Sequence, residues 1–237
     1  RFPWKFVFRP EDHDYSEKTF LGQTGNFNGE DIIEIVLQQE ACPKFIARHM
    51  YSFFVEDEAQ VPAWGIDPPQ NPEAIDYISE LLVTHDYEIK PVMKGILNSE
   101  FFKKSTYRKM RSPFEMIIGT LKLVEDMVGG PDPRLQAMSF RFGWMGQDLL
   151  YPPSVEGWQT GIEWINSGSL LARVNFVADR VTDTSFPGIQ DIIVHFKEEG
   201  VVSPEQLIDA SLEAMGFLEI SKAVSYTHLT LPTILLV

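Results

Sequence analysis

The sequence predicts an all-α protein, an irregular multi-helix bundle with long loops rich in Pro, Gly and Trp. Apolar residues recur at spacings of three and four in most segments, which is the period of an amphipathic helix. Helix-capping sequences precede several of these segments. Strand-like composition is confined to WKFVF near the start and to the last residues of the chain. The pattern therefore predicts about seven to nine helices and little sheet.

Apolar stripes predict the first two helices. GEDIIEIVLQQ begins at Gly29 and has acidic residues in its first turn, where they complement the helix dipole. Pro43 is a favourable first residue for the second helix, KFIARHMYSFFV. The side chains expected to face the core are Ile32, Ile33, Val36 and Leu37 in the first helix and Phe45, Ile46, Met50, Phe53 and Phe54 in the second.

A loop and two more helices follow. EDEAQVPAWGIDPPQNP contains four prolines and a glycine, so it is predicted to be a loop. Asn71 and Pro72 then start a helix as its cap and first-turn residue. PVMKGILNSEFF is predicted to be the next helix, and the basic KKSTYRKMR after it a solvated linker. The apolar side of the helix that starts at Pro72 comprises Ile75, Ile78, Leu81 and Leu82.

Capping boxes mark helix starts in the second half. In SPFE, residues 112–115, Ser112 can accept from the third-residue amide while Glu115 reaches back to the cap. This helix is predicted to end at residues 129–131, GGP, and residues 132–133, DP, to start another toward Trp144. SPEQ, residues 203–206, repeats the capping device. A long aromatic loop, YPPSVEGWQTGIEWINSGS, is predicted between helices.

Composition and charge exclude several classes of protein. The 237 residues include 34 acidic and 20 basic side chains, and the formal net charge of −14 repels phosphate backbones, so nucleic-acid binding is not expected. Cys42 is the only cysteine, which excludes an intrachain disulfide and a multi-cysteine metal site. No apolar run approaches the roughly 18 to 20 residues of a transmembrane segment. The sequence assigns no cofactor.

The two ends of the chain are unusual. It begins RFPWKFVFRP without an initiator Met, so we interpret it as a fragment of a longer protein. The final AVSYTHLTLPTILLV is uncharged and breaks with the acidic helical pattern before it. It is similar to the tails that sequencing-adaptor read-through leaves on open reading frames. We therefore expect residues 1–222 to form a single helical domain and residues 223–237, with His228, to be a non-native tail.

Five stretches resemble a known bacterial family. They are FVFRPEDHDYSEKTFLGQTGNFNGEDII, KFIARHMYSFFV, ILNSEFF, RSPFEMIIGTL and YPPSVEGWQTGIEWINSGSLLARVNF. Their order and content are similar to the domain of unknown function 1800 family (DUF 1800). The resemblance implies a helical fold and the C-terminal part of a longer protein, often an exported one. It also implies a partner, because the genes often stand beside genes for proteins resembling sulfatases and alkaline phosphatases. It implies no reaction.

Two His-Asp pairs make a metal-dependent hydrolase one alternative. His13-Asp14 and His85-Asp86 are each followed by Tyr and, three residues further, by Lys, and His49 lies between them. Imidazole and carboxylate ligands can hold Mn, Fe or Zn and activate water. Against this alternative, helical metallohydrolases bear such a pair within a helix, whereas the first pair precedes a Gly-rich turn.

A structural role is the other interpretation of EDHDYSEKTFLG. Asp14 can cap local backbone amides, Lys18 can pair with an acidic neighbour, and Gly22 and Gly25 allow a sharp reversal. His13 would then be a partly buried, hydrogen-bonded ring. The candidate polar cluster is therefore His13, Asp14 and Lys18, which either hold the loop together or recognise a ligand.

The aromatic loop is the second candidate site. Tyr151, Trp158 and Trp164 are interleaved with prolines and glycines. Such rings can form a platform on which a sugar ring or a peptide stacks. Alternatively, the two tryptophans anchor the loop on the helical core. His49 and His195 lie on apolar helix faces and are interpreted as core or boundary residues.

The function expected from these observations is a scaffold or binding partner of another protein, with export implied by the resemblance. The helical pattern is well formed, and no complete catalytic motif accompanies it in the sequence. A metal-dependent hydrolase using the His-Asp loop is the first alternative. Carbohydrate or peptide binding through the aromatic loop is the second.

Overall fold

The computed structural model describes residues 6–126 and 134–214. Within these ranges the chain forms ten α-helices, three short 3₁₀ turns and one two-stranded hairpin, so the predicted all-α fold is confirmed. The number of helices exceeds the prediction partly because PVMKGILNSEFF is divided into two helices at Ser99. The helix boundaries predicted at residues 129–133 and the tail predicted at residues 223–237 lie outside the described residues.

The described helices and strands have the following bounds. The helices are α1 (Gly29–Leu37), α2 (Ala41–Phe54), α3 (Pro72–Thr84), α4 (Ile89–Asn98), α5 (Glu100–Lys104), α6 (Pro113–Leu123), α7 (Arg134–Trp144), α8 (Ser167–Val181), α9 (Pro187–Glu198) and α10 (Pro204–Ala214). The strands are β1 (Lys18–Phe20) and β2 (Gln23–Gly25), and the 3₁₀ turns are Pro10–Asp12, Val61–Gly65 and Gly161–Trp164. Among the described helices, none combines the length and the apolar character needed to cross a membrane.

The chain divides into two compact units. The first unit comprises residues 1–110 and 160–162, and the second comprises residues 111–159 and 163–237. Each unit contains its own cluster of buried apolar side chains. The expectation that residues 1–222 form a single domain stays a prediction.

In the first unit, α3 packs against both α2 and α4. Asn71 caps α3 as predicted, because its side-chain oxygen accepts a hydrogen bond from the Ala74 amide at 3.1 Å. The core also buries Ile75, Ile78 and Leu82, which the apolar spacing of α3 predicts. The buried apolar residues of this unit that form one cluster are Ala47, Met50, Tyr51, Val55, Ala74, Ile75, Ile78, Leu82, Val92 and Ile96.

The predicted core faces of α1 and α2 were partly wrong. In α2 the side of Ala47 and Met50 is buried, whereas Phe53 is 71% exposed. The helix is apolar on more than one side, so spacing alone does not decide which side packs. In α1 the single buried side chain is Ile35, and Ile33 is exposed. The remaining predicted core residues that are exposed are Val36, Phe45 and Phe54.

The second unit is organised around α6. This helix packs against α7, α8 and α9. Its predicted capping box is confirmed: Ser112 Oγ accepts from the Glu115 amide at 3.2 Å, and the Glu115 carboxylate accepts from the Ser112 amide at 2.8 Å. The cap of α10 is also confirmed, because Ser203 Oγ accepts from the Gln206 amide at 3.2 Å. The clustered buried residues of this unit are Ile117, Leu121, Met138, Phe142, Met145 and Phe176.

The hairpin in the first unit was not predicted from the sequence. β1 and β2 pair antiparallel, with Phe20 opposite Gln23. Leu21 and Gly22 form the turn with φ angles of 45° and 79°, the left-handed conformation that tight hairpin turns require. WKFVF, which was favoured as a strand, forms none in its described residues 6–8.

Candidate functional site

The polar loop, residues 13–18, is held by hydrogen bonds among its own atoms. The Asp14 carboxylate accepts from the Ser16 amide at 2.8 Å and from the Ser16 hydroxyl at 3.0 Å. Lys18 Nζ donates to the backbone carbonyl oxygens of Asp14 and Ser16. This arrangement is a local turn in which the side chains bond the backbone.

The same contacts lower the pKa of Asp14. The hydrogen bond from the Ser16 amide, followed by the bond from the Ser16 hydroxyl, holds the pKa of Asp14 below its ordinary value, and the charge of Lys18 adds to this effect. The His13 ring lies between aromatic neighbours, with its centroid 4.5 Å from that of Tyr15 and 5.4 Å from that of Phe8. His13 thus packs against the rings of Phe8 and Tyr15. The side chains of Asp14 and Lys18 bond backbone atoms of the loop itself.

The second His-Asp pair has a different setting. His85 follows the last residue of α3, and Asp86 and Tyr87 adopt left-handed backbone angles, with φ of 50° and 59°. Tyr87 donates its hydroxyl to the Leu37 carbonyl at 2.9 Å. Among the described residues, no group of three or more His, Cys, Asp or Glu side chains is arranged to hold a metal ion. The described geometry therefore gives the hydrolase alternative no support.

His49 belongs to an aromatic cluster on α2. Its ring centroid is 4.6 Å from that of Phe45 and 4.6 Å from that of Trp64. Partial burial by these rings lowers the pKa of His49 below its ordinary value. This setting is that of a boundary histidine packed against aromatic rings.

The parts of the aromatic loop that belong to the second unit, residues 151–159 and 163–169, contribute to the lining of a concave pocket in that unit. Tyr151, Trp158 and Trp164 all contribute to its wall, which encloses about 300 Å³. We call it the aromatic pocket. Its other described lining residues are Gly143, Met145, Gly146, Asp148, Pro153, Gln159, Glu163 and Asn166. The structure therefore brings all three predicted aromatic residues together.

The pocket begins where α7 ends. Gly146 has a φ of 94°, and its amide donates to the Gly143 carbonyl at 2.9 Å while the Gln147 amide donates to the Phe142 carbonyl at 2.8 Å. This pair of bonds is a Schellman motif, which ends a helix and reverses the chain. The buried Gln147 then accepts from the Phe114 amide at 2.8 Å, which fixes the start of the loop to the first turn of α6.

Asp148 bonds the Trp158 ring and the backbone of Tyr151. Its backbone carbonyl accepts from the Tyr151 amide at 3.1 Å and from the Trp158 indole N–H, also at 3.1 Å. Trp158 is therefore held by its polar edge and is half-buried, and Tyr151 is 78% exposed. A single carbonyl thus bonds the Trp158 ring and the Tyr151 backbone, and both residues line the pocket.

Trp164 anchors the other end of the loop. It is only 5% exposed, and its carbonyl accepts from the Ser169 hydroxyl at 2.7 Å. Asn166 caps α8 by accepting from the Ser169 amide at 2.9 Å. The anchor and platform interpretations thus apply to different residues, because Trp164 is buried while Tyr151 and Trp158 are accessible.

The pocket includes residues that the sequence reasoning missed. Asp148, Gln159, Glu163 and Asn166 supply its polar groups, and none was singled out from the sequence. Asn166 had a local signal, because Asn before SGS is a helix cap. Asp148 had none, since its position depends on the turn after α7.

A buried charged network in the first unit was also missed. Glu58 Oε2 accepts from Arg48 Nε at 3.1 Å and from Arg48 Nη2 at 2.8 Å, and Trp64 covers the guanidinium with its centroid 4.7 Å from Cζ. Gln70 donates its backbone amide to Glu58 at 2.9 Å. The segment EDEAQVPAWGIDPPQNP, predicted to be a loop, is therefore bonded to α2.

The basic stretch KKSTYRKMR is more than the solvated linker that was predicted. Arg108 Nη1 donates to Glu56 at 3.4 Å, and Lys109 Nζ lies 3.6 Å from the Asp57 carboxylate. The Met110 amide donates to the same Asp57 carboxylate at 2.6 Å. Glu56 and Asp57 thus bind residues 108–110 of this stretch. The two segments are about 50 residues apart in the sequence, so the charge pattern alone does not indicate that they meet.

Fold and site together define a mostly helical protein with a loop-built candidate pocket for a small ligand. The chain belongs to the family described as Protein of unknown function (DUF1800), which matches residues 2–228 and confirms the resemblance. No curated protein and no solved structure matches the chain. Because the function of the family is unknown, membership assigns no reaction to the pocket.

Proposed function

We propose that this protein binds a carbohydrate in the aromatic pocket of the second unit. The observation that carries the proposal is that Tyr151 and Trp158 line one concave pocket, with the Tyr151 backbone amide and the Trp158 indole bonded to the same Asp148 carbonyl. Sugars present an apolar ring face together with a rim of hydroxyl groups. Accessible aromatic rings beside carboxylate and amide side chains match both features.

The size of the pocket fits a small sugar. Ligand sites commonly enclose about 300 to 1,000 Å³. At about 300 Å³ the aromatic pocket lies at the lower end of that range, which suits one sugar ring better than a dinucleotide or another large cofactor. Gln159 and Asn166 supply amide groups and Glu163 a carboxylate in the wall that ring hydroxyls would meet.

Tryptophan fluorescence tests the proposal. The chain has five tryptophans, and we expect a saturable emission change when a panel of monosaccharides is titrated into the protein. Trp158→Ala should abolish the change. Trp144→Ala is the matched control, because Trp144 is 68% exposed and does not line the pocket. A flat response across the panel, or an unchanged response in Trp158→Ala, would overturn the proposal.

Docking to another protein is a second candidate function, and it corresponds to the scaffold expected from the sequence. The observation that favours it is the aromatic exposure along α2, where Phe45 is 51% and Phe53 71% exposed. Exposed apolar patches often mark protein interfaces. The neighbouring-gene product resembling sulfatases and alkaline phosphatases is the proposed partner.

Co-purification tests the docking candidate. The protein would be expressed with the product of its neighbouring gene, and co-elution would be followed at low and high salt. Phe53→Asp should release the partner. Val202→Asp, at an exposed apolar position of the second unit, should not. Lack of co-elution at every salt concentration would contradict this candidate.

A further inference from the structure

Asp148 is an acidic residue in the lining of the aromatic pocket. Its backbone carbonyl is used to hold Tyr151 and Trp158, whereas its carboxylate makes no hydrogen bond or ion pair with any described residue. Glu163 contributes a second carboxylate to the wall. The described lining includes no Lys or Arg side chain. The wall therefore combines aromatic rings with the Asp148 carboxylate.

Gly143 makes room for this carboxylate. A Cβ atom built at Gly143 would collide with Asp148 Oδ1 and lie 3.5 Å from its Cγ. Gly143 lies within α7, where Gly is less favourable than Ala, so the helix itself gives no reason for a glycine. The missing side chain lets the carboxylate lie against the last turn of α7 at the edge of the pocket.

Aromatic rings and a carboxylate around one small pocket attract an organic cation. The faces of Trp and Tyr rings carry negative potential that stabilises an ammonium group. The Asp148 carboxylate adds a direct charge, and the net charge of −14 of the chain raises the local concentration of cations. A neutral sugar gains the stacking and the hydrogen bonds of the same wall but no ion pair with Asp148.

We infer that the sugar bound in the aromatic pocket is an amino sugar with a free ammonium group, which pairs with Asp148 while its ring stacks on Trp158 or Tyr151. This inference rests on the proposed carbohydrate-binding function and specifies that the bound sugar is positively charged. An N-acetylated sugar keeps the ring but loses the cation. Acetylation of the amine therefore removes the contribution of Asp148.

Three matched probes test the inference. Glucosamine, N-acetylglucosamine and glucose would be titrated into the protein, with binding followed by ligand-observed NMR at low salt and at about 0.5 M sodium chloride. We expect glucosamine to bind about tenfold more tightly than the two neutral sugars at low salt. Salt should reduce this preference, because it screens the ion pair.

Two substitutions should remove the preference. Asp148→Asn removes the charge and preserves the shape, and Gly143→Ala displaces the carboxylate while it favours the helix. In both variants the affinity ratio of glucosamine to glucose should fall to about one. Glu156→Gln removes a charge from the same loop outside the described pocket lining and should keep the ratio. Circular dichroism and thermal unfolding would verify that each variant folds.

The outcomes separate the two proposals. Equal binding of all three sugars overturns the amino-sugar inference and leaves carbohydrate binding supported. Binding of no sugar overturns both. A further probe is Nα-acetyl-lysine N-methylamide, which keeps its side-chain ammonium group. If this compound binds in an Asp148-dependent manner and no sugar does, the ligand is a peptide and the amino-sugar assignment is wrong. A ratio that persists in Asp148→Asn also overturns the inference.

Discussion

The residue Asp148 shows why the candidate pocket was only partly predictable. Tyr151, Trp158 and Trp164 stood out because aromatic residues among prolines and glycines are conspicuous in a sequence. The role of Asp148 instead follows from the left-handed Gly146 and the reversal after α7, which bring its carbonyl to the Tyr151 amide and the Trp158 indole. The side-chain pattern of a sequence does not indicate which backbone carbonyl will accept a hydrogen bond from a distant residue. This part of the site could therefore be identified only from the structure.

Glu58 gives the strongest prediction for a single residue. Its carboxylate is fully buried and bonds Arg48 and the Gln70 amide. Glu58→Gln leaves the buried Arg48 guanidinium without a counter-charge, so we expect the free energy of unfolding to fall by about 3 kcal/mol in urea denaturation. Glu100→Gln, which breaks an exposed pair with Lys103, is the control and should change stability little. Equal stability of the two variants would contradict the structural role.

Tyr51 predicts a loss of stability at alkaline pH. Burial, together with the hydrogen bond that its hydroxyl donates to Glu56, raises the pKa of Tyr51 from its ordinary value of 10 to about 12. A raised pKa means that the folded state keeps the proton, so the stabilisation is complete below pH 10 and is lost as the pH rises toward 12.

The Tyr51→Phe variant isolates this contribution. The difference in free energy of unfolding between the wild type and Tyr51→Phe should shrink by about 2 to 3 kcal/mol across this interval, because one pKa unit corresponds to about 1.4 kcal/mol. Urea denaturation at several pH values between 9 and 12 measures it. A difference that stays constant over this range would be inconsistent with the raised pKa.

At the scale of elements, caps were predicted better than buried faces. Asn71, Ser112 and Ser203 all cap helices as the sequence indicated, because a cap depends on a few consecutive residues. The buried side of α2 depends on which neighbouring helix packs against it, and α2 is apolar on more than one side. The hairpin was missed because its strands are three residues long, too short to show alternation.

The contact of α6 with α9 gives a prediction at this scale. The Gly188 amide donates to the Val124 carbonyl at 3.2 Å, and a Cβ atom at Gly188 would collide with the Leu123 carbonyl oxygen. Gly188→Ala should therefore lower the free energy of unfolding by about 1 to 3 kcal/mol, since backbone atoms must move. Thermal and urea denaturation would measure the change.

Gly119→Ala is the matched control for this contact. Gly119 lies in α6, and an added Cβ would meet only Arg111 Nη1 at an ordinary 3.7 Å. It should leave stability unchanged or increase it by up to about 1 kcal/mol, because Ala favours a helix. If Gly188→Ala were as stable as Gly119→Ala, the close approach of α6 and α9 would be refuted.

At the scale of the whole molecule, two buried clusters raise the question of cooperativity. The predicted single domain requires that both clusters unfold together. Ile78→Ala in the first unit and Ile117→Ala in the second each remove a fully buried side chain. If the chain is one domain, both substitutions should lower the temperature of one shared transition in scanning calorimetry. Two transitions, each shifted by one substitution alone, would show two independently folding domains.

At the same scale, the net charge of the chain favours a cationic ligand and the aromatic pocket favours a sugar ring. The central claim is that the pocket binds a sugar through Trp158. The most direct measurement is a two-dimensional ¹⁵N–¹H NMR titration that follows the tryptophan indole N–H signals while glucosamine is added. We expect a saturable shift of the Trp158 signal, whose N–H bonds the Asp148 carbonyl, and an unchanged Trp64 signal. An unmoved Trp158 signal at saturating glucosamine, or a shift confined to Trp64, would contradict it.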